Sequence, residues 1–275
     1  MRAYSAFVVW VICALFPVRA QDQPPAAPPI APIPPTLENT GKPLLLPFQC
    51  TMDDIQWAGL SCSEDEPCPL YLELSAVTSV GDKFFAAGNI HFSSVTLYSV
   101  LLGSEDAGHT WRELHERIRG AGLDHLQFLD AETGWAGGEQ LSPLPRDPFL
   151  LLTTDRGKTW RQQSILSDSA ENHFGFILQF FFSDKESGSL VIDHGQGTEV
   201  GRYGLYESPN AGDTWVIKEE STKPLVIKNA PLASGDWRVR ADAASKSFHL
   251  EHRQGERWIS KTAFAVNLGV CKPPQ

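Results

Sequence analysis

Three eight-residue stretches of this chain are nearly identical: "SEDAGHTW" (104–111), "TTDRGKTW" (153–160) and "SPNAGDTW" (208–215). We call each of them a box. A fourth, degenerate copy, "EHRQGERW" (251–258), keeps only Gly255 and Trp258 of the pattern. The final tryptophans are 49, 55 and 43 residues apart, and a period of this length with short apolar runs between turns is typical of a β-propeller blade.

The segments before the boxes repeat as well. "VTSVGDKFFAAGN" (77–89), "LQFLDAETGWAGG" (126–138) and "LQFFFSDKESGSLVI" (178–192) each read as an apolar strand, an acidic turn with glycine and a second apolar strand. Helix signals are almost absent. In the second repeat we predict strands over 126–130, 134–138, 149–154 and 159–165.

These repeats predict an all-β fold, a small β-propeller of four to five four-stranded blades. About 235 residues follow position 40, and the 49-residue spacing divides them into about 4.8 blades. Residues 44–60 are expected to supply closure strands or part of a fifth blade.

Each box is expected to form the hairpin between the third and fourth strands of its blade. The acceptors for turn N–H groups are Asp106, Asp155 and Asn210. We expect positive φ angles at the box glycines, Gly108, Gly157, Gly212 and Gly255. We also expect the rings of the box tryptophans to be buried: Trp111, Trp160 and Trp215. The alternative for the aspartates is calcium binding or acid catalysis, but one carboxylate per hairpin is far from the six to eight oxygens that calcium prefers.

The pattern S/T-x-D-x-G-x-T-W resembles the Asp-box, or bacterial neuraminidase repeat, of sialidases and other β-propellers. "FLDAETGWAGG" followed by "LLLTTDRGKTW" resembles the photosystem II assembly and stability factor family. The resemblance covers roughly residues 70–258. It implies an exported propeller that assists assembly of a membrane complex without catalysing a reaction. Similar repeats also occur in bacterial proteins unconnected with photosynthesis, so it implies the fold more strongly than the task.

The first 42 residues carry export and spacer signals. Residues 1–20 combine Arg2, an apolar run over 6–16 and a small-residue cleavage site, which predicts a signal peptide too short to span a membrane. Residues 21–42 form a proline-rich linker, and 43–275 form the propeller domain. We therefore expect a periplasmic or extracellular protein with no integral membrane segment after cleavage.

Charge narrows the class of partner. Cleavage after residue 20 would leave 21 Lys and Arg against 33 Asp and Glu, a formal charge of −12. This balance argues against nucleic acid and against an anionic membrane surface. We expect a monomer whose partner is a protein or another envelope component.

Four cysteines remain after cleavage: Cys50, Cys62, Cys68 and Cys271. In an oxidising compartment an even number indicates two disulfides, for which three connectivities exist. We predict Cys62–Cys68 across a short acidic loop and Cys50–Cys271 between the ends of the domain. No metal-ligand spacing accompanies these cysteines, and no metal or cofactor is expected.

Two classes of function compete, a noncatalytic binding or assembly module and a sialidase-like glycoside hydrolase. The hydrolase would need an arginine cluster, a tyrosine nucleophile beside a glutamate, and an acidic aspartate. The early arginine motif of sialidases is missing, and the acidic pair Asp53–Asp54 is expected in a solvated loop. All four tyrosines of the processed chain fall in strand-like runs: Tyr71, Tyr98, Tyr203 and Tyr206. We assign no catalytic residue and favour the binding module.

Strand order places the long loops on the face opposite the boxes, and that face is the expected working surface. It would bring together Arg117, Arg119, Arg146 and Arg202 as a positive patch for an acidic partner. The alternative is that these arginines are scattered and paired with Glu116, Asp147 or Glu199.

Overall fold

The computed structural model describes residues 35–93, 95–141, 147–166, 174–195, 201–228, 230 and 235–272. These residues belong to one compact unit, Pro34–Gln275. The described strands form four antiparallel sheets. In three of them all strands follow one another in sequence, and the fourth is a sequential four-stranded meander with one added strand at each edge, which is the blade pattern of a propeller. The predicted all-β fold class is confirmed.

The chain enters the fold through a short strand and a helix. Strand β1 (Leu37–Glu38) pairs with the outer edge of the first blade, so the folded part begins within the segment that the sequence assigned to the linker. Helix α1 (Met52–Trp57) has Thr51 as its N-cap, and it was not predicted. Thr51 and Asp54 bond each other's backbone N–H groups in a capping box, which stabilises the N-terminus of this six-residue helix.

Blade 1 has four strands of its own and one added at each edge. Its strands are β2 (Cys68–Val80), β3 (Lys83–His91), β4 (Thr96–Ser104) and β5 (Thr110–Glu113). At its inner edge β2 pairs with the last strand of the chain, β17 (Asn267–Cys271), and at its outer edge β5 pairs with β1. The two ends of the folded chain therefore meet on the same blade.

Blades 2 and 3 are regular four-stranded meanders. Blade 2 contains β6 (Ala121–Phe128), β7 (Gly134–Gln140), β8 (Asp147–Thr153) and β9 (Arg161–Ser164). Blade 3 contains β10 (Phe176–Phe182), β11 (Gly188–Asp193), β12 (Tyr203–Ser208) and β13 (Val216–Ser221). The four strands predicted in the second repeat are found, although β6 begins five residues before the predicted start at 126 and ends before Asp130.

Blade 4 has three described strands, β14 (Trp237–Asp242), β15 (Ser247–Gln254) and β16 (Arg257–Ala265). Leu44 forms an isolated parallel bridge to Phe264 on β16. Residues 44–60 otherwise hold helix α1 and no strand, so the expectation that they supply closure strands or part of a fifth blade is wrong. The Gly255 turn joins β15 to β16, and Gly255 has the expected positive φ of 63°.

Apolar layers join the blades in the order 4, 1, 2, 3. The layer between blades 4 and 1 includes Phe84, Trp111, Trp237 and Phe264. The layer between blades 1 and 2 includes Ala87, Leu101, Leu123 and Phe149, and that between blades 2 and 3 includes Trp135, Ile177, Phe182 and Leu190. The leucine, isoleucine and phenylalanine side chains of these layers each contribute about 1.5–3 kcal/mol on full burial.

Both predicted disulfides are present. Cys50–Cys271 ties the segment before α1 to β17, and the two Cα atoms are 5.4 Å apart. Cys62–Cys68 closes the short acidic loop before β2. These bonds are consistent with an oxidising compartment.

Candidate functional site

The first box is a hairpin closed by two side chains. The Asp106 carboxylate accepts the Thr110 N–H at 2.8 Å and the Thr110 hydroxyl at 2.7 Å. Ser104 Oγ accepts the Gly108 N–H and donates to Asp106, each at 2.8 Å. The serine at the first box position is thus a second acceptor, in addition to the predicted aspartate.

The second and third boxes repeat this geometry. Asp155 accepts from the Thr159 N–H at 2.9 Å and the Thr159 hydroxyl at 2.6 Å. In the third box the amide oxygen of Asn210 accepts from the N–H and hydroxyl of Thr214 at 2.9 and 3.2 Å. A neutral acceptor therefore serves where the other boxes have a carboxylate, so the hairpin does not require a negative charge.

The backbone of the box turns differs from the prediction in one respect. The glycines Gly108, Gly157 and Gly212 have positive φ, and so do the residues before them, Ala107, Arg156 and Ala211. The N–H of each of these preceding residues donates to a carbonyl in the first hairpin of the same blade, for example Ala107 to Asp82 at 2.8 Å. The cost of the left-handed conformation is offset by tying the two hairpins of a blade together.

The box tryptophans are not equally buried. Trp111 is 1% exposed, and its Nε1 donates to Gly108 O and Thr262 Oγ1. Trp160 and Trp215 are only half-buried, which corrects the expectation of three buried rings. A tryptophan outside the boxes, Trp135, is fully buried and stacks on Phe182 with 3.8 Å between ring centroids.

The box carboxylates are engaged within their own hairpins. Burial raises the pKa of Asp106, but hydrogen bonds from Thr110 and Ser104 outweigh it and lower the pKa to about 2. Hydrogen bonds from Thr159 and Thr153 likewise lower the pKa of Asp155 to about 2. A carboxylate with so low a pKa is a poor general acid at neutral pH, so these aspartates act as hydrogen-bond acceptors that hold the turn.

The predicted arginine patch is neutralised where the structure describes it. Arg117 pairs with Glu113 at 2.6 Å, and Arg202 binds Asp193 through two nitrogens at 2.7 and 2.8 Å. Arg119 contacts Asp53 at 2.6 Å. Arg146 lies outside the described residues. The three described arginines are paired, as in the alternative raised from the sequence, although with other carboxylates than those named there.

Arg119 belongs to a cluster around a buried carboxylate. Asp54 is 2% exposed and accepts from Tyr98 Oη at 2.5 Å, so the expectation of a solvated Asp53–Asp54 loop is wrong for Asp54. The helix cap and the Tyr98 contact explain its burial. Burial raises the pKa of Tyr98, and so does the bond to Asp54. A tyrosine of raised pKa is a weak nucleophile at neutral pH, so this cluster ties α1 to blade 1.

A cleft of about 590 Å³ lies on the face of blade 3 that is turned away from blade 2. Its apolar lining includes Phe181, Val216 and Ile227, and serine hydroxyls and two lysines complete it. Val216 is 55% exposed there. Glu207 is the acidic residue among the described residues of the lining, and it pairs with Lys218 at 3.2 Å. The cleft thus combines exposed apolar surface with hydrogen-bonding groups.

The face of blade 4 turned away from blade 1 is strongly polar. Glu251 is 5% exposed and binds Arg238 and Arg240 at 2.7 and 2.8 Å. Burial raises the pKa of Glu251, but the two arginines outweigh burial and lower the pKa. Neither arginine was predicted from the sequence as a candidate site residue. The signal was their alternation with Trp237 and Val239, which places the two charged residues on one face of β14.

The described residues meet the requirements of neither a metal site nor a membrane-spanning helix. Within the described ranges, no three His, Cys, Asp or Glu side chains are grouped as ligands of a metal ion. No helix in the described part of the chain has the length and hydropathy to cross a membrane.

Comparison with known proteins does not assign a family. No family model matches the chain. The ribosome maturation factor RimM of Lactobacillus helveticus (strain DPC 4571) is 27% identical over 147 residues, which cover 46% of this chain and 82% of that protein. The acidic charge of −10 does not favour binding to RNA.

Solved propeller proteins share parts of the fold. YCF48 from Cyanidioschyzon merolae is 13% identical with a TM-score of 0.36, covering 70% of this chain and 49% of that one. The GH74 xyloglucanase from Xanthomonas campestris is 17% identical with a TM-score of 0.37, and the match covers 50% of this chain and 19% of the xyloglucanase. The alpha-L-arabinanase from Penicillium chrysogenum is 13% identical with a TM-score of 0.34, and the match covers 82% of this chain and 65% of the arabinanase. This chain spans less than two thirds of each, and likenesses this distant carry no argument about activity.

Proposed function

We propose that the protein is an exported, noncatalytic propeller that binds a partner protein of the cell envelope. The observation that carries this proposal is the cleft on blade 3, where exposed Val216 and half-buried Phe181 and Ile227 lie beside serine hydroxyls. Exposed apolar surface rimmed by polar groups is typical of interaction sites. The sequence resemblance to photosystem II assembly and stability factors supports an assembly role of this kind.

The alternative is a sialidase-like glycoside hydrolase, which would need an arginine cluster, a tyrosine nucleophile beside a glutamate, and an acidic aspartate. In the cleft the described lining offers Glu207, already paired with Lys218. The Asp54 cluster has a tyrosine and an arginine, but the Tyr98 hydroxyl donates to Asp54 and Arg119 is held by Asp53. These pairings favour binding over hydrolysis.

Site-specific cross-linking tests the proposal. A photoreactive benzoylphenylalanine is placed at Val216 in the cleft and, as a matched control, at Val270, which is 50% exposed on blade 1. We expect one saturable protein adduct in envelope extract from position 216 and none from position 270.

The purified protein is also assayed on sialosides and pectic oligosaccharides. Equal adducts at both positions would contradict a binding role of the cleft. Catalytic turnover of a glycoside by the purified protein would contradict the noncatalytic assignment.

A further inference from the structure

We propose that the outer face of blade 4 binds an extended acidic peptide segment, with Arg238 and Arg240 each receiving a carboxylate. This face comprises the outward residues of β14, β15 and β16, and we call it the arginine face. The inference rests on the proposed function, because it names the chemistry of the partner that such a module would hold.

The alternation of β14 defines the arginine face. Trp237 packs in the apolar layer against blade 1, with Val239 packed beside it, so Arg238 and Arg240 point to the opposite side. Arg238 lies across from Glu251 in the register of β14 and β15, which places Glu251 on the same side. Two arginines thus share this face with two carboxylates, Glu251 and Asp242, and Asp242 accepts from Nη1 of Arg240 at 3.2 Å. The apolar layer leaves this face uncovered.

Glu251 fixes both arginines while leaving donors free. It accepts the Nε–H of Arg238 and the Nε–H of Arg240, one on each oxygen. Within the described part of the chain, neither terminal nitrogen of Arg238 has an acceptor, and Nη2 of Arg240 has none. The two guanidinium side chains are about 40% exposed, at 41% and 39%. Oriented guanidinium groups with free N–H donors are the preferred partners of carboxylates.

Trp258 favours a peptide over a saccharide. The Arg238 guanidinium lies 4.3 Å from the centroid of the Trp258 ring. Since this face of the ring is already occupied by a cation, it is not free as a stacking platform for a sugar. Stacking also holds the guanidinium plane in one orientation, which lowers the entropy lost on binding.

Spacing and charge select an extended acidic segment. Residues two apart on a strand are separated by roughly 6.5 Å, and carboxylates at alternate positions of an extended peptide have the same period. Residues 235–265 contain six Lys and Arg against four Asp and Glu, a formal charge of +2, whereas the whole chain has −10. The arginine face therefore lies on a locally positive blade in an acidic protein.

The test measures binding of a labelled peptide of alternating glutamate and threonine to the intact protein, with a glutamine–threonine peptide as control. The variant is R238Q/R240Q/E251Q, in which Glu251 is not left as an unpaired buried charge. Circular dichroism verifies that it folds. R257Q is the matched control, because Arg257 is an exposed arginine of the same blade whose side chain alternates to the other side of β16.

We expect the acidic peptide to bind, and the triple variant to weaken it at least about tenfold, while R257Q changes it less than about twofold. R238K/R240K, which keeps the charge on a folded protein, should also weaken binding because lysine lacks the forked donors. An equal loss in R257Q, no binding of the acidic peptide, or tighter binding of an oligogalacturonate would overturn the inference. The cross-link at position 216 reports separately: its retention in the triple variant leaves the proposed function standing.

Discussion

The Cα atoms of Cys50 and Cys271 lie 5.4 Å apart although 221 residues separate them in sequence. Their disulfide joins the entry segment to β17, which pairs with β2 at the inner edge of blade 1. The second disulfide, Cys62–Cys68, spans a separation of six residues. The two bonds therefore differ in how strongly they restrict the unfolded chain.

Removing the long-range disulfide should destabilise the protein more than removing the short one. In the loop-entropy model C50S/C271S lowers the free energy of unfolding by about 5 kcal/mol and C62S/C68S by about 2 kcal/mol. Urea unfolding of both double variants beside the parent protein measures the difference. Equal losses would contradict the expectation that the long-range bond restricts the unfolded chain more strongly than the short one.

Truncation of the box tryptophans should follow their burial. Trp111 is 1% exposed, so W111A should cost about 3–5 kcal/mol of unfolding free energy. Trp160 is half-buried, so W160A should cost less, about 1–3 kcal/mol. Chemical denaturation of the two variants gives the order, and a larger loss for W160A would contradict the burial argument.

The third box predicts which substitution of Asp155 is tolerated. Asn210 makes the corresponding hydrogen bonds with a neutral amide oxygen, so D155N should cost little stability at pH 7. D155A removes the carboxylate that accepts the Thr159 N–H, and it should lower the free energy of unfolding by about 1–2 kcal/mol. N210A is the matched control and should behave like D155A. If D155N were as costly as D155A, the charge itself would be required.

His125 should make the stability depend on pH near neutrality. It lies between blades 2 and 3, with Nε2 at 2.8 Å from Ile177 O, and burial lowers its pKa below 6.5. The folded state therefore favours the neutral ring. The contribution of His125 to the free energy of unfolding is fully present above the unfolded-state pKa of about 6.5, and it is lost as the pH falls from there towards the lower pKa of the folded state.

H125Q, which keeps a donor but does not titrate, should show a shallower loss of stability between pH 7 and pH 5 than the parent protein. Thermal melts across this range give the two slopes. The same slope in both proteins would contradict a half-buried His125 that is neutral in the folded state.

The repeats carried most of the fold prediction because each feature is local. Apolar alternation, the glycine turns and the box spelling all act within one blade. The even number of cysteines indicated two disulfides, and the closing pair followed once Cys62 and Cys68 were paired across their short loop. The positive φ of Ala107 was missed, because its support is a hydrogen bond to Asp82 in another hairpin. The spacing of residues in the sequence does not reveal a hydrogen bond between two hairpins.

The candidate sites depended on contacts that the sequence does not encode locally. Arg117 and Arg119 lie in the connection from β5 to β6, where strand order had placed them, but Glu113 and Asp53 neutralise them. The pairing of Arg238 with Glu251 follows from the register of β14 and β15, which turn geometry and packing set together. Helix α1 was missed because six residues are too few for a periodic signal.

The central claim is that the boxes hold the shape of the blades, with their aspartates engaged as acceptors. A carbon-13 NMR titration of the Asp106 and Asp155 carboxyl groups, with and without calcium, tests it most directly. We predict a pKa of about 2 for each and no change of either carboxyl signal on adding calcium at neutral pH. A pKa near the ordinary 3.8, or a calcium-dependent shift of these signals, would contradict it.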